Sequence, residues 1–157
     1  FGLVNVHDSR GIHSFDATFL GHIEFSPFVQ KNGEFSSLAQ EDVLLALRNS
    51  KQFILRSFIE EGMSEKVTIS SDNEEVDQLA LVIKMVEAGL GWALLPKTFA
   101  HSEFSHYDIE PIQSSEMQQG FKFGFALWCH HSKQMREVKL SVLSVIKEHV
   151  DRVLKRD

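Results

Sequence analysis

Apolar positions along this chain switch between two periods, and the switches mark its elements. Between residues 76 and 88 they fall at Val76, Leu79, Ala80, Ile83 and Val86, the spacing of one helical face. Leu81, Val82 and Met85 make the same helix apolar on a second side. Gly89 stands where a left-handed C-cap belongs, because glycine alone takes positive φ without a Cβ penalty. The run Gly91 to Leu95 is too short for a helix and apolar enough for a strand covered on both faces. Pro96 offers no donor to a ladder and should end that strand.

The same reading applied to the rest predicts a strand over 1–6, then a loop over 7–11. A second strand over 22–30 contains Pro27, which demotes it to an edge or to a bent crossover between lobes. Residues 31–34 form a turn, and 37–47 a short helix with Glu41 and Asp42 near its start. Strands are predicted at 52–55 and, from its β-branched residues, at 67–70. Between them lies a turn or short helix broken by Gly62. Ser71, Asp72 and Asn73 are then placed to cap the long helix, Asp72 with Glu75 as a loose capping box. A short helix over 97–104, a strand over 107–112, a polar loop over 114–120 and an alternating strand over 121–129 follow. The last helix covers 132–155, its inward stripe read as Val138, Val142, Val145, Ile146, Val150 and Val153. Strands and helices alternate from 52 to 129, which implies an α/β lobe with a mostly parallel sheet.

Composition narrows the class. The 157 residues are 43% apolar and 24% charged, as in an ordinary soluble domain or two small lobes. No apolar run nears the roughly 20 residues of a membrane span. The net charge of −6 argues against a nucleic-acid platform in this chain. One cysteine, Cys129, excludes an internal disulfide and suits a reducing cytoplasm. The chain opens without an initiator Met or a charged signal region, and inside a strand, so it reads as a fragment.

The segment Met85-Val86-Glu87-Ala88-Gly89-Leu90-Gly91-Trp92-Ala93-Leu94-Leu95-Pro96, with Gln52-Phe53-Ile54-Leu55-Arg56-Ser57 upstream, resembles the effector-binding domain of LysR-type transcriptional regulators. The closing aromatic strand and C-terminal helix fall at matching distances, so the resemblance spans nearly the whole chain. It implies a type 2 periplasmic-binding-protein-like α/β fold of two lobes. The second lobe, 25–129, would be complete. The first would be partial, made of 1–24 and 130–157. A small-molecule effector would bind in the cleft between lobes, and the proteins work as homodimers or homotetramers. DNA would be reached only through an N-terminal winged helix-turn-helix that this chain lacks. A stand-alone solute-binding protein of the same fold is the alternative.

Open α/β sheets take ligands at the carboxyl ends of their strands. On that rule Arg56 and Ser57, then Ser71, Asp72 and Asn73, then Leu95, Pro96, Lys97 and Thr98 become effector-site candidates. The resemblance adds Val4 and Asn5. Ser71 to Asn73 would equally serve as plain caps, and Arg56 as a solvated charge. Leu81, Val82 and Met85, the helix's second apolar side, are the dimer-interface candidates, with burial inside the lobe as the other reading.

Other chemistries find little footing. Cys129 and His130 of the Cys129-His130-His131 cluster point to opposite faces of a strand, so no metal site is expected. There is no G-x-S-x-G elbow, no dinucleotide fingerprint and no P-loop. The expectation is a cytoplasmic, cofactor-free sensor, not an enzyme and with no membrane partner.

Overall fold

A computed structural model describes residues 1–6, 15–101, 106–117, 121–130 and 132–154. Its elements are mixed α/β. The contacts divide the chain into Phe1–His22 with Gly124–Asp157, here unit 1, and Ile23–Phe123, here unit 2. The expected crossings stood at 24/25 and 129/130; the contacts divide the chain at 22/23 and 123/124, both inside strands.

Unit 2 is built on five strands. β2 (Phe15–Gln30) enters it from unit 1, and β3 (Gln52–Leu55), β4 (Asn73–Val76), β5 (Trp92–Pro96) and β6 (Ile109–Pro111) complete it. Their order is β6-β2-β5-β3-β4. β3 pairs in parallel with both β4 and β5, whereas β2 runs antiparallel to β5 and β6. The parallel core was legible in the alternation; the antiparallel β2 beside it makes the sheet mixed.

Helices α1 (Val43–Arg48), α2 (Arg56–Glu60), α3 (Ser64–Val67) and α4 (Leu79–Glu87) pack on this sheet. α4 inserts Val82 and Val86 against Phe53, Val76 and Ala93. It also sends Ile83 against Phe28, Leu95 and Phe99. Gly89 has φ 71 and ends α4, with the Leu90 N–H donating to the Met85 carbonyl. Gly91 is required by close approach: a Cβ there would collide with the Lys51 carbonyl oxygen, the acceptor of the Trp92 N–H.

Pro27 does not lie on an edge. β5 and β6 flank β2 at this level, where Pro27 pairs with Leu94. The Pro27 carbonyl accepts the Ile112 N–H at 2.9 Å, and proline has no N–H to return. The Ser26 hydroxyl donates to the Ile112 carbonyl at 3.3 Å and fills that gap.

Two of the expected elements of unit 2 are placed differently. The helix expected over 37–47 starts only at Val43, after a 3-10 turn over Glu34–Ser37. Residues 67–70 are not a strand. Val67 closes α3, and the backbone beyond it bonds to the buried side chain of Gln52. The strand is instead Asn73–Val76, whose first three residues are exposed and polar. An edge strand with outward charges shows no apolar run to read, and those charges protect the edge.

Unit 1 holds β1 (Gly2–Asn5), the first part of β2, most of β7 (Phe121–His130) and α5 (Lys133–Leu154). β1 pairs antiparallel with β7. The stripe expected on α5 is off by part of a turn. Val138, Val145 and Val150 are exposed, and the inward positions are Lys139, Val142, Leu143 and Ile146. Lys139 is the reason a hydropathy reading misses this face: it is buried, but its ammonium meets Asp16 at 2.6 Å. A paired lysine can sit inward where a lone one could not.

Candidate ligand site

The parallel strands of unit 2 set the geometry. Gln52 pairs with Asn73 and Trp92, and Leu55 pairs with Val76, so one end of the ladder carries residues 52, 73 and 92. The other end, the carboxyl end, delivers Arg56, Asp77 and Lys97. Ligands of open α/β sheets bind at this second end.

Arg56 is the first residue of α2, directly after β3. Its Nη1 lies 2.8 Å from Asp77 and its Nε 3.6 Å from Glu75. All three side chains are about half exposed, so the cluster adds little stability. Its net charge is −1. Ser57 follows on α2, and Pro96 closes β5 opposite Phe25. Leu95 is 1% exposed and belongs to the core with Ile83 and Phe99, so it offers a ligand no side-chain surface.

A second charged cluster, of opposite sign, lies beyond β5. Glu24 on β2 accepts from Lys122 at 2.9 Å and from Lys97 at 3.0 Å. Two hydrogen-bonded ammonium groups, Lys122 first and then Lys97, pull its carboxyl down to about 2. Lys66 adds a third cation, donating to the Lys122 carbonyl and lying over the Phe123 ring at 4.6 Å. A carboxylate depressed in the folded state contributes stability above its ordinary value of 4.5, lost as pH falls towards about 2. Glu24→Gln should therefore lower Tm at neutral pH and flatten the acid branch of a Tm-versus-pH curve, the two proteins converging as pH falls from 4.5 towards about 2. An unaltered acid branch would show that the cluster does not form.

Ser71, Asp72 and Asn73 are a correction. They cap no helix: the N-cap of α4 is Gln78. Asn73 opens β4 level with Gln52, at the amino end of the parallel strands. A strand of four residues puts that end about 10 Å from the carboxyl end, so these three do not join Arg56. Asp72 faces Lys51 at 4.0 Å instead, beside the stronger Lys51–Glu74 pair at 2.9 Å. The residues that do follow β4 are Asp77 and Gln78, which sequence reasoning passed over. The strand before them, Asn73-Glu74-Glu75-Val76, has too little apolar character to flag its end. Val4 and Asn5 lie on β1, paired with Ala126 and Phe125, in unit 1.

The interface candidates divide as well. Val82 is 1% exposed, enclosed in the unit 2 core, and Met85 is half-buried against the same cluster. A helix clamped by its own sheet spends its second apolar side internally. Only Leu81 of the three is exposed, at 48%. Among the described residues no three His, Cys, Asp or Glu side chains converge as a metal site, and no helix is long and apolar enough to cross a membrane. His131 lies outside the described residues.

Solved structures match this arrangement over nearly all of its length. The regulatory domain of MetR, a LysR-family regulator from N. meningitidis, aligns with a TM-score of 0.67 at 10% identity, over 93% of this chain and 69% of that one. Full-length OxyR from Pseudomonas aeruginosa aligns with a TM-score of 0.66 at 17% identity, over 90% of this chain and 49% of that one. The effector-binding domain of QuiR in complex with shikimate gives 0.62 at 16% identity, over 95% and 73%. The fold is that of LysR-type regulatory domains. The chain thus spans about half of full-length OxyR and about seven-tenths of the separate regulatory domains. No family model matches the sequence. No curated relative matches it either.

Proposed function

We propose that this chain is the effector-sensing part of a bacterial LysR-type transcriptional regulator, and not an enzyme. The observation that carries this reading is the shared fold with MetR, OxyR and QuiR regulatory domains over at least nine-tenths of the chain. In this reading unit 2 is the second lobe and unit 1 part of the first. A small molecule is sensed, as shikimate is bound by the QuiR domain. Arg56, Ser57 and Asp77, at the carboxyl end of the parallel strands, are the unit 2 groups placed to meet it. The effector acts by linkage: a ligand that binds one arrangement better shifts the population towards it. DNA is reached through an N-terminal winged helix-turn-helix outside this chain, in a cytoplasmic homodimer or homotetramer. None of the structures named above is a solute-binding protein.

The codons upstream of Phe1 test the reading most cheaply. A winged helix-turn-helix is expected there; a secretion signal would overturn it in favour of a solute binder. Oligomerisation is tested at Leu81, since Val82→Glu would simply unfold the core. Leu81→Glu should halve the mass of the intact regulator's dimer in light scattering with its circular dichroism unchanged, whereas an unaltered mass would remove this helix from the interface.

A further inference from the structure

Unit 2 contains a cavity of about 390 Å³ that is lined by Lys97, just after β5, and not by Arg56, Ser57 or Asp77. That volume sits at the lower end of the range for small-molecule sites. Phe25, Pro27, Ile112 and Phe121 supply apolar walls, and Lys97 and Ser114 stand among the five polar residues of the lining, the others being Ser26, Gln40 and Gln113. Lys97 is the one charged residue of the five. Ser114 is 5% exposed, and its Oγ accepts the Glu116 N–H at 3.3 Å. An oxygen that accepts there retains its own O–H to donate. Lys97 brings an ammonium with three donors, only one of which is committed to Glu24. Lys97 and Ser114 are therefore both able to donate to a guest in the cavity.

The charge balance beside the cavity fixes the sign of the guest. Lys97 and Lys122 share the single carboxylate of Glu24, so this triad carries one uncompensated positive charge. The Arg56 cluster at the carboxyl end has the opposite balance, with Asp77 and Glu75 around one guanidinium. An anion is repelled by the Arg56 cluster and attracted by the Lys97–Glu24–Lys122 triad. A single negative charge is what that triad lacks, and an apolar body is what the phenylalanine, proline and isoleucine walls accept.

We propose that this cavity binds a small monocarboxylate with a flat apolar body, its carboxylate held by the Lys97 ammonium and the Ser114 hydroxyl. On binding, Lys97 exchanges Glu24 for the ligand, and Glu24 stays on Lys122. The site lies wholly within unit 2 and does not rest on the regulator reading, so its occupancy is measured without DNA or transcription.

The experiment titrates the whole chain with benzoate, phenylacetate, cinnamate and the neutral control benzamide, following backbone amide shifts by NMR. At least one acid should saturate, moving the amides of Ser26, Ile112 and Ser114 while those of Ser71 to Asn73 stay still. Benzamide should bind about tenfold more weakly or worse, the loss of one charge-assisted contact. Lys97→Gln should weaken the acid by a similar factor and leave benzamide unchanged. Glu24→Gln should tighten the acid, because Lys97 no longer has a competing partner. The proposal is overturned if no acid saturates by about 10 mM, a limit far above useful affinity. It is equally overturned if acid and amide bind alike, if Glu24→Gln weakens the acid, or if the moving amides lie elsewhere. Failure here leaves the proposed regulator untouched, and a secretion signal upstream of Phe1 would leave this site untouched.

Discussion

Gln52→Leu is expected to cost about 3–5 kcal/mol, measured as the loss in ΔG from urea unfolding followed by circular dichroism. Gln52 is 1% exposed at the start of β3. Its Nε2 donates to the Val67 carbonyl at 2.7 Å, and its Oε1 accepts from the N–H groups of Ile69 and Ser70 at 2.9 and 3.0 Å. Leucine fills similar space and meets none of the three. A buried backbone group left unpaired costs about 1–3 kcal/mol, so two or three together consume much of a domain's stability. Gln52→Glu separates hydrogen bonding from volume. A carboxylate still accepts from Ile69 and Ser70 but cannot donate to Val67, and burial disfavours its charge. Protonation restores a donor, so this variant should gain stability as pH falls towards the carboxyl range, opposite in sign to the effect expected at Glu24. Gln52→Leu behaving like the parent would mean that the 67–70 segment is held by something else.

That segment also shows where the sequence stops being readable. Val67-Thr68-Ile69-Ser70 has strand composition, and pattern rules assign it to a ladder. Its backbone partners are instead side-chain atoms of one residue 15 to 18 positions away. No local pattern reports such a partner. The mistake then propagates. With a strand assigned at 67–70, Ser71 to Asn73 fell where helix caps belong, and Asp77 and Gln78 were hidden inside the helix. The parallel register, not the composition, decides which end of β4 carries the site.

Elements that bury their apolar residues in one layer were legible. The Gly89 turn, the β5 strand and the β3 strand stand within a residue of their expected positions, because glycine at positive φ, proline and a continuous apolar run leave few alternatives. Faces were less legible than elements. Leu81, Val82 and Met85 look alike in sequence, yet one is exposed, one half-buried and one enclosed. The choice is made by where the sheet lies, which hydropathy does not encode. On α5 the buried Lys139 reverses the usual inference, since its partner Asp16 comes from a distant strand.

Trp92→Ala should be the most damaging single change in unit 2, at about 4–5 kcal/mol. Trp92 is fully enclosed at the first position of β5, and its indole N–H donates to the Leu47 carbonyl at 3.0 Å. Leu47 lies in α1 and is itself 0% exposed, so this bond ties a helix to the centre of the ladder. Removing the indole opens the largest cavity any one substitution can make there and orphans a buried carbonyl. Neighbours cannot collapse into it easily: Gly91 already lets the chain approach Lys51 as closely as backbone permits. Trp92→Phe should recover part of the loss by refilling volume, but not the hydrogen bond, and settle about 1.5–3 kcal/mol below the parent. The chain has two tryptophans, so near-ultraviolet circular dichroism of Trp92→Phe leaves Trp128 as the remaining indole reporter. If both variants unfold at the parent's urea midpoint, α1 is not anchored through β5. A loss in Trp92→Ala equal to that in Trp92→Phe would assign the whole effect to the hydrogen bond, and none to packing.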